Sequence, residues 1–140
     1  MNVSELIELH EGRRLLPYQD SKGILTIGVG HNLSNGISNE VCDALKQEDI
    51  GKAIADVSRE FPWYEVLSDA RKAAVVDMAF NLGISKLLQF HNTLYHMEHG
   101  NWQSAANAML NSVWAKQVGD KPGQRAYTLA QMVKTGNWPR

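Results

Sequence analysis

An α+β fold follows from the order in which hydrophobic periods succeed one another along the chain. Helical spacing opens the sequence, a period of two takes over between Leu15 and Val29, and helical spacing returns from Ser38 onward. Because the strand-like stretch is short and occurs once, it forms a small N-terminal β-hairpin lobe. The helices after it form a larger lobe, with a cleft between the two.

Asn2 is placed to cap the first helix, with Glu5 three residues on in the capping-box position. Val3, Leu6, Ile7 and His10 share one face. Gly12 stands where a glycine closes a helix, so Glu11 is the last helical residue. The negative end of a helix dipole opposes ionisation of a carboxylate there, which suits a proton donor. Leu15, Leu16 and Tyr18 then read as a strand, Asp20-Ser21-Lys22-Gly23 as a turn, and Ile24 to Val29 as a second strand. Leu25, Ile27 and Val29 lie on one side of it and Thr26, Gly28 and Gly30 on the other. The glycines leave room beside Thr26 for a ligand to approach the backbone.

Ser38 caps a long helix that runs to about Phe61 and is stopped by Pro62. Its first half is polar around Val41 and Leu45, and its second half carries Ile50, Ala53, Ile54 and Val57, as expected of a helix leaving a small lobe for a larger one. From Ser68 or Asp69 to Leu82 the chain is apolar nearly all round, the pattern of a central buried helix. Shorter helices follow near 86–98, 102–110 and 124–134, separated by Gly100, the 119–123 loop and Gly136. The chain is read as one domain, 1–140. Its N-terminal lobe covers about 12–60, and its C-terminal lobe covers about 61–140 together with helix 2–11.

Composition narrows the function classes. An apolar share of 44% fits a folded protein, and 14 basic against 15 acidic residues give no electrostatic reason to expect nucleic acid or a membrane surface as partner. The single cysteine, Cys42, excludes an intrachain disulfide and reads as a reduced thiol on a helix. Residues 2–11 lack the continuous apolar core of a secretory signal, and no run is apolar enough to span a membrane. His91, His96 and His99 do not share one helical face and no cysteine or carboxylate completes a tetrahedral set, so no metal and no other cofactor is expected. The four tryptophans are scattered through helical segments and read as packing residues.

Glu11 and Asp20 are the residues that point to chemistry. One acid ends a helix, the other sits on a turn, and Thr26 lies on the strand beyond. Two carboxylates in different surroundings beside a hydroxyl are what glycoside hydrolysis uses: a proton donor, and a group that handles the water or the developing positive charge. Alone, each has a plain structural explanation: an exposed helix-end glutamate, a turn-forming aspartate and a strand-forming threonine.

Taken together, the stretch EGRRLLPYQDSKGILTIGVGH from Glu11 to His31 resembles the signature of the phage T4-type lysozymes (endolysins, muramidases). Glu11-Gly12, Arg14, Tyr18, Asp20, Gly23, Thr26-Ile27-Gly28, Gly30 and His31 fall at the family spacings. The resemblance continues through Met78–Gly83, Phe90 with Asn92–Leu94, Trp102 with Ala105 and Ala106, Ser112 with Trp114 and Gln117, Arg125-Ala126, and Thr135-Gly136 with Trp138. It implies a lysozyme-like fold in which Glu11 is the catalytic acid, Asp20 the second carboxylate, and Thr26 helps place the attacking water. Inversion of configuration is implied, with the carboxyls about 6.5–9.5 Å apart. By position Asn32, Phe80, Asn81, Thr93 and Arg125 correspond to substrate-contacting sites, although an aromatic such as Phe80 on a buried helix is usually core. His31 is expected to form a structural ion pair with Asp49 on the long helix.

Some positions depart from the family. The connection between Leu33 and Ser38 is shorter, Asn32 replaces a leucine, and the loop from Val118 to Gln124 is longer. The activity implied is cleavage of the β-1,4 bond between N-acetylmuramic acid and N-acetylglucosamine in peptidoglycan by a monomer, at the end of a phage or prophage cycle. The missing signal implies accumulation in the host cytoplasm and release to the wall through a separate holin. A bacteriocin domain or a virion-borne wall enzyme would use the same fold. A lytic transglycosylase typically manages with one glutamate, and an inactive saccharide-binding module would lack one of Glu11, Asp20 and Thr26.

Overall fold

The computed structural model describes residues 1–140, with eight α-helices and one three-stranded antiparallel sheet in the order β1-β2-β3. The α+β class read from the sequence is the class observed. Backbone contacts divide the chain into two units, Met1–Leu45 and Lys46–Arg140, and the division falls inside the long helix. The N-terminal helix groups with the first unit.

In that unit, α1 spans Val3–Glu11 and begins with the expected capping box. Asn2 Oδ1 accepts from the Glu5 N–H at 2.9 Å, and the Asn2 N–H donates to Glu5 Oε2 at 3.0 Å. Gly12, at φ 78, closes the helix with its N–H on the Glu8 carbonyl. Strands β1 (Arg14–Gln19), β2 (Leu25–Gly28) and β3 (His31–Asn32) follow, with a bulge between Arg14 and Tyr18. β2 is shorter than its apolar pattern, and β3, two residues long, has no pattern of its own. A single 3-10 turn, Leu33–Asn35, leads on to α2. Thr26 is the one buried residue of this unit. The apolar face of α1 stays exposed, from 41% at Leu6 to 71% at Val3.

The second unit holds the core. α2 (Asn39–Glu60) enters it capped by Ser38 Oγ, which accepts from the Val41 N–H at 3.2 Å. α3 (Asp69–Leu82) is capped by Ser68 and buries Ala70, Ala74, Val75, Met78 and Ala79. It is buried on one side only: Phe80 is 46% exposed, which corrects the expectation of a helix buried all round. The stretch read as one helix near 86–98 is two, α4 (Ile84–Leu87) and α5 (His91–Glu98), broken where Phe90 takes φ −81, ψ 60. α6 (Trp102–Leu110) and α8 (Arg125–Thr135) match their reading. Between them α7 (Val113–Val118), capped by Ser112, is too short to show a period. Val57, Val75, Met78, Leu87, Met97, Met109 and Val133 are the largest fully buried side chains of the second unit.

Arg71 ties three of these helices together. From α3, its Nε donates to the Val133 carbonyl at 2.8 Å and its Nη2 to the Lys134 carbonyl at 3.2 Å, satisfying the open end of α8. Its guanidinium lies 3.8 Å from the ring centroid of Trp102 on α6, and burial draws its pKa below the ordinary arginine value. Arg71→Met keeps an apolar stem and removes both hydrogen bonds and the cation. We expect a loss of about 2 kcal/mol, read as a lower urea midpoint at unchanged slope. An unchanged midpoint would mean that water serves the two carbonyls equally well.

Candidate active site

Asp20 organises the turn between β1 and β2. Its N–H donates to the Ile24 carbonyl (2.9 Å), and its carbonyl accepts from the Gly23 N–H (3.0 Å). Its side-chain Oδ1 accepts from the N–H groups of Lys22 (2.8 Å) and Ile24 (2.9 Å). One carboxyl oxygen is therefore committed to the backbone. Asp20 is half-buried and its Oδ2 makes no hydrogen bond within the chain.

The sheet register gathers the next groups. Thr26 on the central strand stands opposite Tyr18 of β1 and Asn32 of β3, and Arg14 stands opposite Gly28. Directly opposed residues of antiparallel strands share a face, so Tyr18, Thr26 and Asn32 lie side by side. The Arg14 guanidinium covers the Tyr18 ring at 4.5 Å. The Thr26 hydroxyl donates to the Ile24 carbonyl at 2.8 Å, so both of its lone pairs remain free to accept. Of the two glycines expected to leave space on this side, only Gly28 does: nothing lies within 4 Å of a Cβ built there. The place beside Gly30 is taken by the exposed carboxyl of Glu11.

His31 is exposed, and its Nε2 donates to the Gly36 carbonyl at 2.8 Å. Asn32 caps the 3-10 turn, its Oδ1 accepting from the Ser34 N–H at 2.8 Å, and its amide NH2 is unengaged.

Five candidate residues lie in the second unit and do not form one cluster. Asp49, on α2, lines a small recess of about 240 Å³ with Lys52, Asp56 and Phe80. Phe80 and Arg125 border a largely apolar cavity of about 490 Å³ with Ile50, Ile54, Tyr64 and Val76. Arg125 is paired with Asp77, Nε at 2.8 Å and Nη2 at 2.7 Å from Oδ1. Thr93, 2% exposed, lines a different cavity of about 740 Å³ with Phe90, His96, Asn107, Trp114 and Gln117. Asn81 accepts the Trp114 indole N–H on its Oδ1 at 2.8 Å, leaving its NH2 unengaged. Lys86, His91 and His96 on the rim of the larger cavity were not among the sequence candidates. The helix break before α5 has no mark in the sequence.

A family model described as phage lysozyme matches residues 8–131, a span that takes in Glu11 at one end and Arg125 at the other. The chain belongs to the phage lysozyme family. It is a glycoside hydrolase, and its substrate is peptidoglycan. Among relatives, it is 25% identical to probable T4-type lysozyme 1 of Dictyostelium discoideum over 96% of this chain and 95% of that one. It is 32% identical to an endolysin of Salmonella phage P22 over 83% of this chain and 82% of the other. A 25% identical match to the pre-baseplate central spike protein Gp5 of Enterobacteria phage T4 takes in 98% of this chain and 28% of that protein.

Within this lysozyme the turn role of Asp20 is separable from its charge. Asp20→Asn retains an acceptor for Lys22 and Ile24 and should unfold within about 0.5 kcal/mol of wild type, whereas Asp20→Ala should cost about 1–2 kcal/mol. Equal stabilities in a denaturant titration would show that the Oδ1 bonds do not hold the turn.

Proposed function

We propose that the protein cleaves the β-1,4 bond between N-acetylmuramic acid and N-acetylglucosamine with inversion of configuration. Glu11 donates a proton to the glycosidic oxygen. The charge of Asp20 and the hydroxyl of Thr26 govern the water that attacks from the opposite face. The observation that carries this reading is the state of Thr26 and Asp20. A carbonyl cannot donate, so the Thr26 proton is fixed on Ile24 and its oxygen presents lone pairs only. Asp20 Oδ2 is likewise an unoccupied acceptor. A water donating its hydrogens to such acceptors keeps an oxygen lone pair for the anomeric carbon.

The proposed substrate contacts are Asn32, Phe80, Asn81, Thr93 and Arg125. Asn32 and Asn81 have their amide oxygens committed to Ser34 and Trp114, so each offers NH2 donors, which suit the acetamido and hydroxyl oxygens of the sugars. Arg125, held by Asp77, is assigned to carboxylates of the muramoyl peptide. Pairing of His31 with Asp49 belongs to the proposal on the family resemblance. So do a monomeric catalytic domain, residence in the host cytoplasm until lysis and release by a separate holin. No helix is long and apolar enough to cross a membrane.

The test uses purified peptidoglycan with wild type and Glu11→Gln. Wild type should release new reducing ends, the α-anomer appearing first by NMR, and Glu11→Gln should be slower by at least about 100-fold. Anhydro-sugar ends would replace this mechanism with transglycosylation, and a β-anomer appearing first would replace inversion with retention.

A further inference from the structure

Five glycines of the first unit have positive φ: Gly12, Gly23, Gly28, Gly30 and Gly36. At four of them a Cβ would meet nothing within 4 Å. Gly30 differs. A Cβ there would lie 2.8 Å from Glu11 Oε2, 2.9 Å from Cδ and 3.2 Å from Cγ. Left-handed backbone by itself tolerates an occasional asparagine or aspartate, but the Glu11 carboxyl closes that option at residue 30.

We propose that Gly30 is a positioning residue for the proton donor: the bare backbone of the turn between β2 and β3 is the surface against which the Glu11 carboxyl stands. The inference rests on Glu11 being the acid. Glu11 ends α1 and is exposed, so its side chain is the part that can give way. A methyl group at residue 30 would be accommodated by rotating the carboxyl away from the turn, with the fold retained and the acid misplaced. Displacement by about 1 Å is enough to lower turnover by about 100-fold, because proton transfer to the leaving oxygen needs hydrogen-bond reach.

Gly36 supplies the control, having φ 74, open space at its Cβ and no part in the chemistry. Gly30→Ala, Gly36→Ala and Glu11→Gln are compared on a soluble peptidoglycan oligosaccharide, with Tm measured in parallel. Both alanine variants should lose a similar Tm, about 4 °C, from left-handed strain. Gly30→Ala should lose kcat by about 100-fold with KM within about twofold, and Gly36→Ala should keep kcat within about twofold. A Gly30→Ala enzyme with the kcat of Gly36→Ala would overturn the proposal. So would a loss confined to KM, which would make Gly30 a sugar contact. An active Glu11→Gln would instead remove the reading beneath it. Should Gly30→Ala fail to fold, it is remade in a Glu11→Ala background. Recovery to the Tm of the Glu11→Ala, Gly36→Ala pair would support the contact, and continued failure would show that the turn itself, not Glu11, excludes a side chain.

Discussion

The constraint on which the N-terminal hairpin depends is that it has no apolar core of its own. Every buried apolar side chain lies between Ala53 and Val133, and none lies between Met1 and Leu45. The shape of the hairpin therefore comes from local hydrogen bonds and from glycines in left-handed conformations. Asp20 contributes its N–H, its carbonyl and one carboxyl oxygen to a ring of bonds with Lys22, Gly23 and Ile24, and Thr26 adds its hydroxyl to the same Ile24 carbonyl. Each such bond is worth only about 1 kcal/mol net. What they supply together is direction. Asp20 and Thr26, two of the groups assigned to chemistry, also help to close the turn, so a substitution there that removes the acceptor disturbs the local fold, whereas one that keeps it removes only the charge.

Elements announced by neighbouring residues were legible in the sequence, and elements defined by distant ones were not. Asn2 with Glu5, Gly12 and Ser38 act within a few residues of themselves, and all cap or close helices as read. The break before α5 has no proline or glycine to mark it, and Leu87, Leu88 and Leu94 keep an uninterrupted helical spacing across it. β3 exists because His31 and Asn32 pair with Ile27 and Thr26, a fact about β2 as much as about β3. Phe80 is a related case. An apolar run reads as core on every side, yet the side carrying Phe80 borders an open cavity with Ile50, Ile54 and Tyr64.

The proposed catalytic set could be read from the sequence because it is contained in the 21 residues from Glu11 to His31, at spacings that match a family. The proposed substrate contacts have no such local pattern, because what each can do depends on tertiary partners. Asn81 owes its orientation to Trp114, 33 positions away, and Arg125 is anchored by Asp77, 48 positions away. Neither pairing has a local signature. They fix which way an asparagine presents its NH2 donors and hold an arginine in place, and those are the properties that decide what part of a saccharide each residue could serve.

Charge completes the contrast with recognition by electrostatic attraction. The formal net charge is −1, and five of the six arginines are engaged within the chain. Arg13 meets Glu8, Arg59 meets Asp56 and Glu60, Arg125 meets Asp77, Arg71 serves carbonyls of α8, and Arg14 lies over Tyr18. The three guanidinium groups paired with carboxylates contribute little long-range field, and the charge that remains at the surface is screened within about 8–10 Å at moderate salt. An enzyme with so weak a field cannot depend on being drawn to an anionic wall polymer. Its grip on substrate has to come from short-range contacts instead. Such contacts act only once the polymer is in register, so they contribute to orientation rather than to encounter.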